Sequence, residues 1–160
     1  MKLVAAAFFC LCAAAASRAD EAAECQANAG SYLTGIVTAG PAFVGGHLRK
    51  GVELSHTHLR LRSDQDQRSY DVAIDNVFAS GYDAAGENVP EPLSSIRVGD
   101  HLALCGQLYA HDGPGIHFVH TNCGDEPAAA DPNGWVKILA TNGTPGPNLE
   151  DSGKYCGLWP

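Results

Sequence analysis

The stretch VELSHTHLRLRSDQDQRSYDVAIDNVFA, residues 52–79, decides the fold because apolar and polar residues alternate along both of its halves. Such alternation is typical of β-strands that bury one face. The polar run DQDQRS between the halves predicts a turn, so the two strands form an antiparallel hairpin. The side chains expected to point inward are those of Leu59, Leu61, Tyr70, Val72, Ile74 and Phe78.

Further strand-like segments lie on both sides of this hairpin. They cover residues 31–40, 101–110, 116–121 and 135–140, with a glycine-rich connection after the first and a short helical turn at LSSIRVGD. The sequence therefore predicts an all-β fold. We expect a small five- to six-stranded Greek-key barrel, similar to the oligonucleotide/oligosaccharide-binding barrels, with one short helical turn. An immunoglobulin-like sandwich is the alternative.

The amino terminus MKLVAAAFFCLCAAAASRAD has the pattern of a secretory signal peptide. Lys2 gives a short basic region, an apolar run follows, and Ser-Arg-Ala is a small-x-small cleavage site that ends at Ala19. The protein is therefore expected to be secreted or periplasmic, without membrane insertion. Three parts are expected: a signal peptide over residues 1–19, a single β-barrel domain over 20–138, and an irregular segment over 139–160 that a disulfide ties down.

The charge of the chain argues against nucleic acid as a partner. The sequence has 10 Lys and Arg against 18 Asp and Glu, a net charge of −8, and loss of Lys2 and Arg18 with the signal makes it −10. Affinity for nucleic acid comes largely from Lys and Arg that displace counterions. The expected partners are therefore a small ligand, a glycan or a protein of the cell envelope.

Four cysteines, Cys25, Cys105, Cys123 and Cys156, remain after the signal. An even number in an exported chain predicts two disulfides. A hairpin centred near Pro114 would set Cys105 opposite Cys123, so we expect a Cys105–Cys123 bridge, which leaves Cys25–Cys156 to join the two ends. No CxxC pair occurs, which disfavours a zinc ribbon or a thioredoxin-like protein.

Histidines, arginines and aspartates share the outward face of the central hairpin. If the hairpin closes over residues 65–68, His58 lies opposite Asp75 and Arg62 lies opposite Asp71. Each such pair contributes only about 0.2–1 kcal/mol. A solvated face of paired charges is therefore the plain interpretation, and a ligand site is the alternative.

The hairpin near Pro114 carries further histidines in GPGIHFVHTNCGD. Its expected register sets His111 opposite His117 and Leu108 opposite His120. Since neighbouring strand residues alternate faces, His117 and His120 cannot share a face unless the strand bulges. His120 is expected to be buried and hydrogen-bonded.

A divalent metal is the first ligand that these residues suggest. Imidazoles together with a carboxylate such as that of Asp75 suit zinc or copper. The candidate metal ligands are His56, His58, His111 and His117.

A wider ligand site would add the tryptophan of the turn DPNGW, as a lid or as a cap on the core. Its candidate residues are His56, His58, Asp75, His117, His120 and Trp135. With no GxSxG and no free thiol, binding without catalysis is expected. The alternatives are a hydrolase that uses His58 and Asp75, and a structural or inhibitory partner protein.

The segment His117–Val136, within GPGIHFVHTNCGDEPAAADPNGWVKI, resembles part of a family of small secreted bacterial proteins of unknown function, and the resemblance covers roughly residues 31–138. Members carry a glycine turn, His-aromatic-x-His, an acidic loop and Gly-Trp. The upstream SHTHLRLR and VGDHLALCGQLY are similar to the family's preceding strands. Two departures from the family are Cys123 and the longer, alanine-containing loop before Asn133. The resemblance implies export and the β fold, and it assigns no chemistry.

Overall fold

The computed structural model describes residues 19–159, so most of the expected signal peptide lies outside the described residues. A helix, α1, covers residues 19–27. The strands are β1 (Ser31–Arg49), β2 (Val52–Ser63), β3 (Ser69–Asp75), β4 (His101–Tyr109), β5 (Gly115–His117) and β6 (Trp135–Leu139). Short 3-10 turns cover Asn76–Phe78, Leu93–Ser95 and Cys156–Leu158.

The strands form one mixed sheet in the order β1-β2-β3-β5-β4-β6. Because β1 also pairs with β4, hydrogen bonds run from β1 through β2, β3, β5 and β4 back to β1 in a ring. The β3–β5 pair is parallel and the other pairs are antiparallel. The predominantly β structure is therefore confirmed, and the expected helical turn is the 3-10 turn Leu93–Ser95.

The first strand is longer than predicted because it pairs with two neighbours. Its first residues pair with β4, and from Gly35 onward it pairs with β2. The glycine-rich stretch expected to be a connection is the second half of β1. A Cβ at Gly46 would overlap the carbonyl of Leu54 on β2, so glycine permits this close approach of the backbones.

The predicted facing of the central hairpin is confirmed. Leu59, Leu61, Val72 and Ile74 are at most 2% exposed. Inside the ring of strands they join a cluster that also contains Leu33, Val37, Leu102, Leu104, Ile116, Val119 and Val136. The histidines, arginines and aspartates of β2 and β3 are thereby left on the outward face, whereas Ser55, Thr57 and Ser63 are buried.

The register of this hairpin differs from the prediction by two residues. His56, and not His58, is opposite Asp75, and Arg60, and not Arg62, is opposite Asp71. The turn begins one residue earlier because the Oγ of Ser63 accepts hydrogen bonds from the backbone N–H groups of Gln65 and Asp66, at 3.0 and 3.4 Å. A shift of two residues leaves each side chain on the same face of the sheet, but it changes which aspartate lies opposite each histidine.

The second hairpin also differs in register. Gln107 is opposite His117 and Leu108 is opposite Ile116. The predicted pairs His111–His117 and Leu108–His120 are therefore wrong. The cause is the position of the hairpin loop, which lies between the paired residues Tyr109 and Gly115 and is therefore centred on Asp112 and not on Pro114. In addition, β5 ends at His117, four residues before the predicted end.

The predicted disulfide pairing is wrong. The bridges are Cys25–Cys105 and Cys123–Cys156. In β4, Cys105 lies between β1 and β6, so no place beside it is left for Cys123. Helix α1 brings Cys25 to it instead, and Cys123 ties down the carboxyl-terminal segment. Among the residues described, no helix is long and apolar enough to cross a membrane.

Candidate functional site

The outward face of β3 is the centre of the candidate site. On this face Ala73 is opposite His58 of β2, and the parallel register with β5 sets His117 on its other side. Asp71 and Asp75 flank Ala73 along the strand, two residues away on either side. The small methyl group of Ala73 is therefore the floor of a polar depression.

Asp75 joins two histidines from different parts of the chain. Its Oδ1 accepts a hydrogen bond from Nε2 of His56 at 2.8 Å, and its Oδ2 lies 3.2 Å from Nε2 of His120. Burial acts to raise the pKa of Asp75, but the hydrogen bonds with both histidines outweigh burial and hold the pKa well below its usual value. In turn, the hydrogen bond to Asp75 raises the pKa of His56. The carboxylate is thus kept ionised between two rings.

His117 and His120 both reach this face because Phe118 interrupts the strand. Phe118 has a φ of 50°, in the left-handed region, which is rare for an aromatic residue. The strict alternation therefore ends at His117. His120 is buried, as predicted, with its ring stacked on Phe78 at 3.9 Å and its Nδ1 2.7 Å from the carbonyl of Thr121.

A second network surrounds Asp71. Its Oδ2 accepts a hydrogen bond from the hydroxyl of Tyr109 at 2.7 Å and lies 3.2 Å from Nδ1 of His58. Nε of Arg60 lies 3.9 Å from Oδ1. Burial and the bond to Asp71 both raise the pKa of Tyr109, so its hydroxyl stays a proton donor.

An open cleft of about 520 Å³ lies over this network. Its lining residues are Arg60, Asp71, Ala73, Tyr109, His111, Asp112, Gly113 and His117. The rings of Tyr109 and His117 meet edge to face, with centroids 5.3 Å apart. A Cβ at Gly115 would overlap the Tyr109 ring, so a glycine there lets the ring lie across the backbone.

The predicted metal ligands do not converge. His56 contacts Asp75, His58 contacts Asp71, and Nε2 of His117 donates to Gln107 at 2.7 Å. His111 is 90% exposed beside its neighbour Asp112. Within residues 19–159, no three histidine, cysteine or acidic side chains are placed to hold an ion.

Trp135 is not part of the cleft. It is buried beside the Cys25–Cys105 bridge, with its ring 5.9 Å from that of Tyr32. Trp135 therefore caps the core, which was one of its two predicted roles, and does not cover the histidines. Of the six predicted ligand residues, His117 lines the cleft, and His56, His58, Asp75 and His120 lie beside it in the two His–Asp networks.

Sequence reasoning missed Glu150. This side chain is fully buried, and neither carboxylate oxygen has a hydrogen-bond partner among the described residues. Burial, and to a lesser degree the nearby charge of Asp75, raise its pKa well above the usual value. No feature of the turn-rich sequence around Glu150 predicts its burial, because charged residues in such segments are ordinarily exposed. Tyr109 and Arg60 were also absent from the predicted ligand set, although both lie on the predicted strands.

Comparisons with protein-family models, with curated proteins and with solved structures found no match. The resemblance to small secreted bacterial proteins therefore stays a prediction. Together, the fold and the site define a β protein with a polar, partly aromatic cleft on the outward face of its central strands.

Proposed function

We propose that this is an exported protein that binds a neutral glycan in the cleft over Ala73 without chemically changing it. The observation that carries the proposal is the combination, in one open cleft, of two aromatic rings and a fixed network of hydrogen-bonding groups. Tyr109 and His117 supply the rings, and Arg60 and Asp71 supply donors and acceptors. Ligand sites typically pair apolar surface with a few polar groups of fixed orientation.

The location of the cleft supports the same proposal. We propose that the ring of strands is a barrel of the oligonucleotide/oligosaccharide-binding type, as the strand order and the turn before β4 suggest. Such barrels bind ligands on the face of strands 2 and 3, beside the loop between strands 4 and 5. The lining includes Arg60 of β2, Asp71 of β3 and the β4–β5 loop residues His111, Asp112 and Gly113.

The charge of the chain favours a glycan over an oligonucleotide as the ligand. The acidic chain repels polyanions, and within the cleft Arg60 already faces Asp71. Sugar hydroxyls both donate and accept hydrogen bonds, so they fit a wall with an acidic acceptor, a guanidinium donor and imidazoles. A sugar ring's C–H face can pack against aromatic rings such as Tyr109.

Export is proposed on the disulfides and the amino-terminal pattern. The two bridges, Cys25–Cys105 and Cys123–Cys156, are of the kind that forms and persists in oxidising compartments. The basic, apolar and small-residue order of residues 1–19 is that of a secretory signal.

The test is a titration of the disulfide-bonded protein with neutral oligosaccharides, in parallel with Tyr109→Phe. This variant keeps the ring and removes the hydroxyl that fixes Asp71, the proposed acceptor for a sugar hydroxyl. The affinity should therefore fall about tenfold, as for loss of one charge-assisted hydrogen bond to the sugar. Tyr70→Phe is the matched control, because it removes a similar Tyr–Asp bond, to Asp66, outside the cleft. Equal losses in both variants, or no binding of any neutral glycan, would contradict the proposal.

A hydrolase is the second candidate, because two His–Asp pairs lie side by side. His56 pairs with Asp75 and His58 pairs with Asp71, and the two imidazole centroids are 6.2 Å apart. Both histidine side chains are about one-third exposed, at 34 and 35%. One imidazole could take a proton from water while the other gives one to a leaving group. The test is an assay of glycan-ester hydrolysis by the wild type, His56→Gln and His58→Gln. Activity that each substitution abolishes would support the hydrolase, and activity that neither substitution changes would contradict it.

A further inference from the structure

The end of the β1–β2 hairpin leaves a large apolar side chain in solvent. Leu48 is 71% exposed, more than any other large hydrophobic residue that the structure describes. The turn that follows, Lys50 and Gly51, has left-handed φ values of 49° and 83°, and a Cβ at Gly51 would meet no atom within 4 Å. The turn therefore points into open space, beside an apolar residue that the fold does not cover.

Three cations lie at this turn, in a chain whose net charge is −8. Arg49 and Lys50 donate to backbone carbonyls of the carboxyl-terminal segment, at 2.9 and 3.0 Å, and Lys154 belongs to that segment. Among the described residues, none of the three forms an ion pair with a carboxylate. Glu53, the acid on the facing strand, accepts instead from the backbone N–H of Gly46 at 2.8 Å. The end of the hairpin is therefore locally basic.

Aromatic rings lie among these cations. The guanidinium carbon of Arg49 is 5.5 Å from the ring centre of Trp159, and Nζ of Lys154 is 4.8 Å from that of Tyr155. Both aromatic residues are only partly buried. Tryptophan and tyrosine are enriched where a bilayer meets water, because their amphipathic rings fit the level of the headgroups. The hairpin end thus combines an exposed leucine, unpaired positive charges and aromatic rings of the interfacial type.

We propose that the end of this hairpin binds the surface of a membrane that contains anionic phospholipids. Because neighbouring strand residues alternate faces, Leu48 and Arg49 lie on opposite faces of the hairpin, and an end-on approach brings both to one surface. Leu48 then enters the boundary of the acyl chains, while Lys50 and Trp159 lie at the level of the phosphates. A bilayer offers phosphates and an apolar interior on one continuous surface, which favours it over an acidic protein or a second copy of this chain. The acidic remainder of the chain is repelled by the same lipids, so the contact is confined to the hairpin end.

The test is co-sedimentation of the full, disulfide-bonded chain with vesicles of equimolar phosphatidylglycerol and phosphatidylcholine, and with vesicles of phosphatidylcholine alone. We expect at least about tenfold tighter binding to the anionic vesicles, because each Lys or Arg near such a surface raises the affinity about fivefold. Equal binding to both vesicles, or binding to neither, would overturn the proposal. Self-association without lipid that Leu48→Ser abolishes would also overturn it, because the hairpin end would then contact a second copy of the chain.

Two pairs of variants locate the contact. Leu48→Ser should weaken binding to the anionic vesicles about tenfold, because the transfer of a leucine side chain out of water is lost, whereas Leu108→Ser, at an exposed leucine of β4, should leave it unchanged. Lys50→Gln should weaken it about fivefold, and Arg68→Gln, at the exposed turn between β2 and β3, should not. Equal effects within either pair would overturn the proposal. Tyr109→Phe should not alter vesicle binding, so this test is independent of that of the glycan.

Discussion

Replacing Glu150 by glutamine should stabilise the protein, and more so as the pH rises. Both oxygens of Glu150 are buried without a hydrogen-bond partner among residues 19–159, and its pKa is raised well above the usual 4.5. The native state therefore keeps a proton that the unfolded chain releases above pH 4.5. Stability from this group is complete below that pH and is lost as the pH rises towards the native pKa. The acid thus opposes folding at neutral pH.

The magnitude follows from proton linkage. Each pH unit between the unfolded and native pKa values of Glu150 costs the folded state about 1.4 kcal/mol. Glutamine has nearly the same shape and cannot ionise, so the free energy of unfolding of Glu150→Gln should exceed that of the wild type by a margin that grows at this rate. Other titrating groups, including Asp75 and His56, are present in both proteins. Their contributions therefore cancel to first order in the difference between the two free energies of unfolding.

The assay is urea unfolding of both proteins at several pH values between about 5 and 8, with disulfides intact. Glu126→Gln, at an exposed position, is the control and should show no growing margin. A margin for Glu150→Gln that is constant with pH would refute the reasoning, because it would mean that Glu150 is charged, or equally protonated, in both states. A destabilised variant at every pH would refute it as well.

Asp75→Asn should lower the free energy of unfolding at neutral pH by about 1.5–3 kcal/mol, because the charged acceptor of two histidine contacts is lost. Since the pKa of Asp75 is lowered in the fold, this loss should persist down to the unfolded value of 3.8 and shrink as the pH falls below it towards the native pKa, which pH-dependent urea unfolding measures; a loss that grows below pH 3.8 would contradict it. Peptide mapping without reduction should recover Cys25 linked to Cys105, and a Cys105–Cys123 peptide would disprove that pairing. Gly115→Ala should weaken glycan binding more than Gly157→Ala, at an open position outside the cleft, because only the former displaces the Tyr109 ring, and equal effects in calorimetry would disprove this.

The strands of the central hairpin were predictable because alternation is a local property. Leu59 and Val72 face inward as their spacing requires, and that spacing also places the histidines and aspartates on one outward face. The pairing was less predictable, since it depends on which residue starts the turn. The hydrogen bonds of Ser63 move the turn by one residue, and His56 thereby replaces His58 as the partner of Asp75.

Long-range contacts were beyond prediction from the pattern. Cys105 binds Cys25 because α1 packs beside β4 and β6, and neither the helix nor that packing follows from the alternation of strands. The meeting of His120 with Asp75 depends on a left-handed Phe118, which no propensity favours. Glu150 is buried by the same tertiary packing.

The central claim is that the outward face over Ala73 is where this protein holds its ligand. The most direct measurement is the methyl NMR signal of Ala73 during titration with the tightest-binding neutral oligosaccharide. A saturable shift of that signal, with the same dissociation constant as calorimetry and weakened in Tyr109→Phe, is the predicted result. Binding that leaves the Ala73 methyl unmoved while shifting signals elsewhere on the protein would contradict the account.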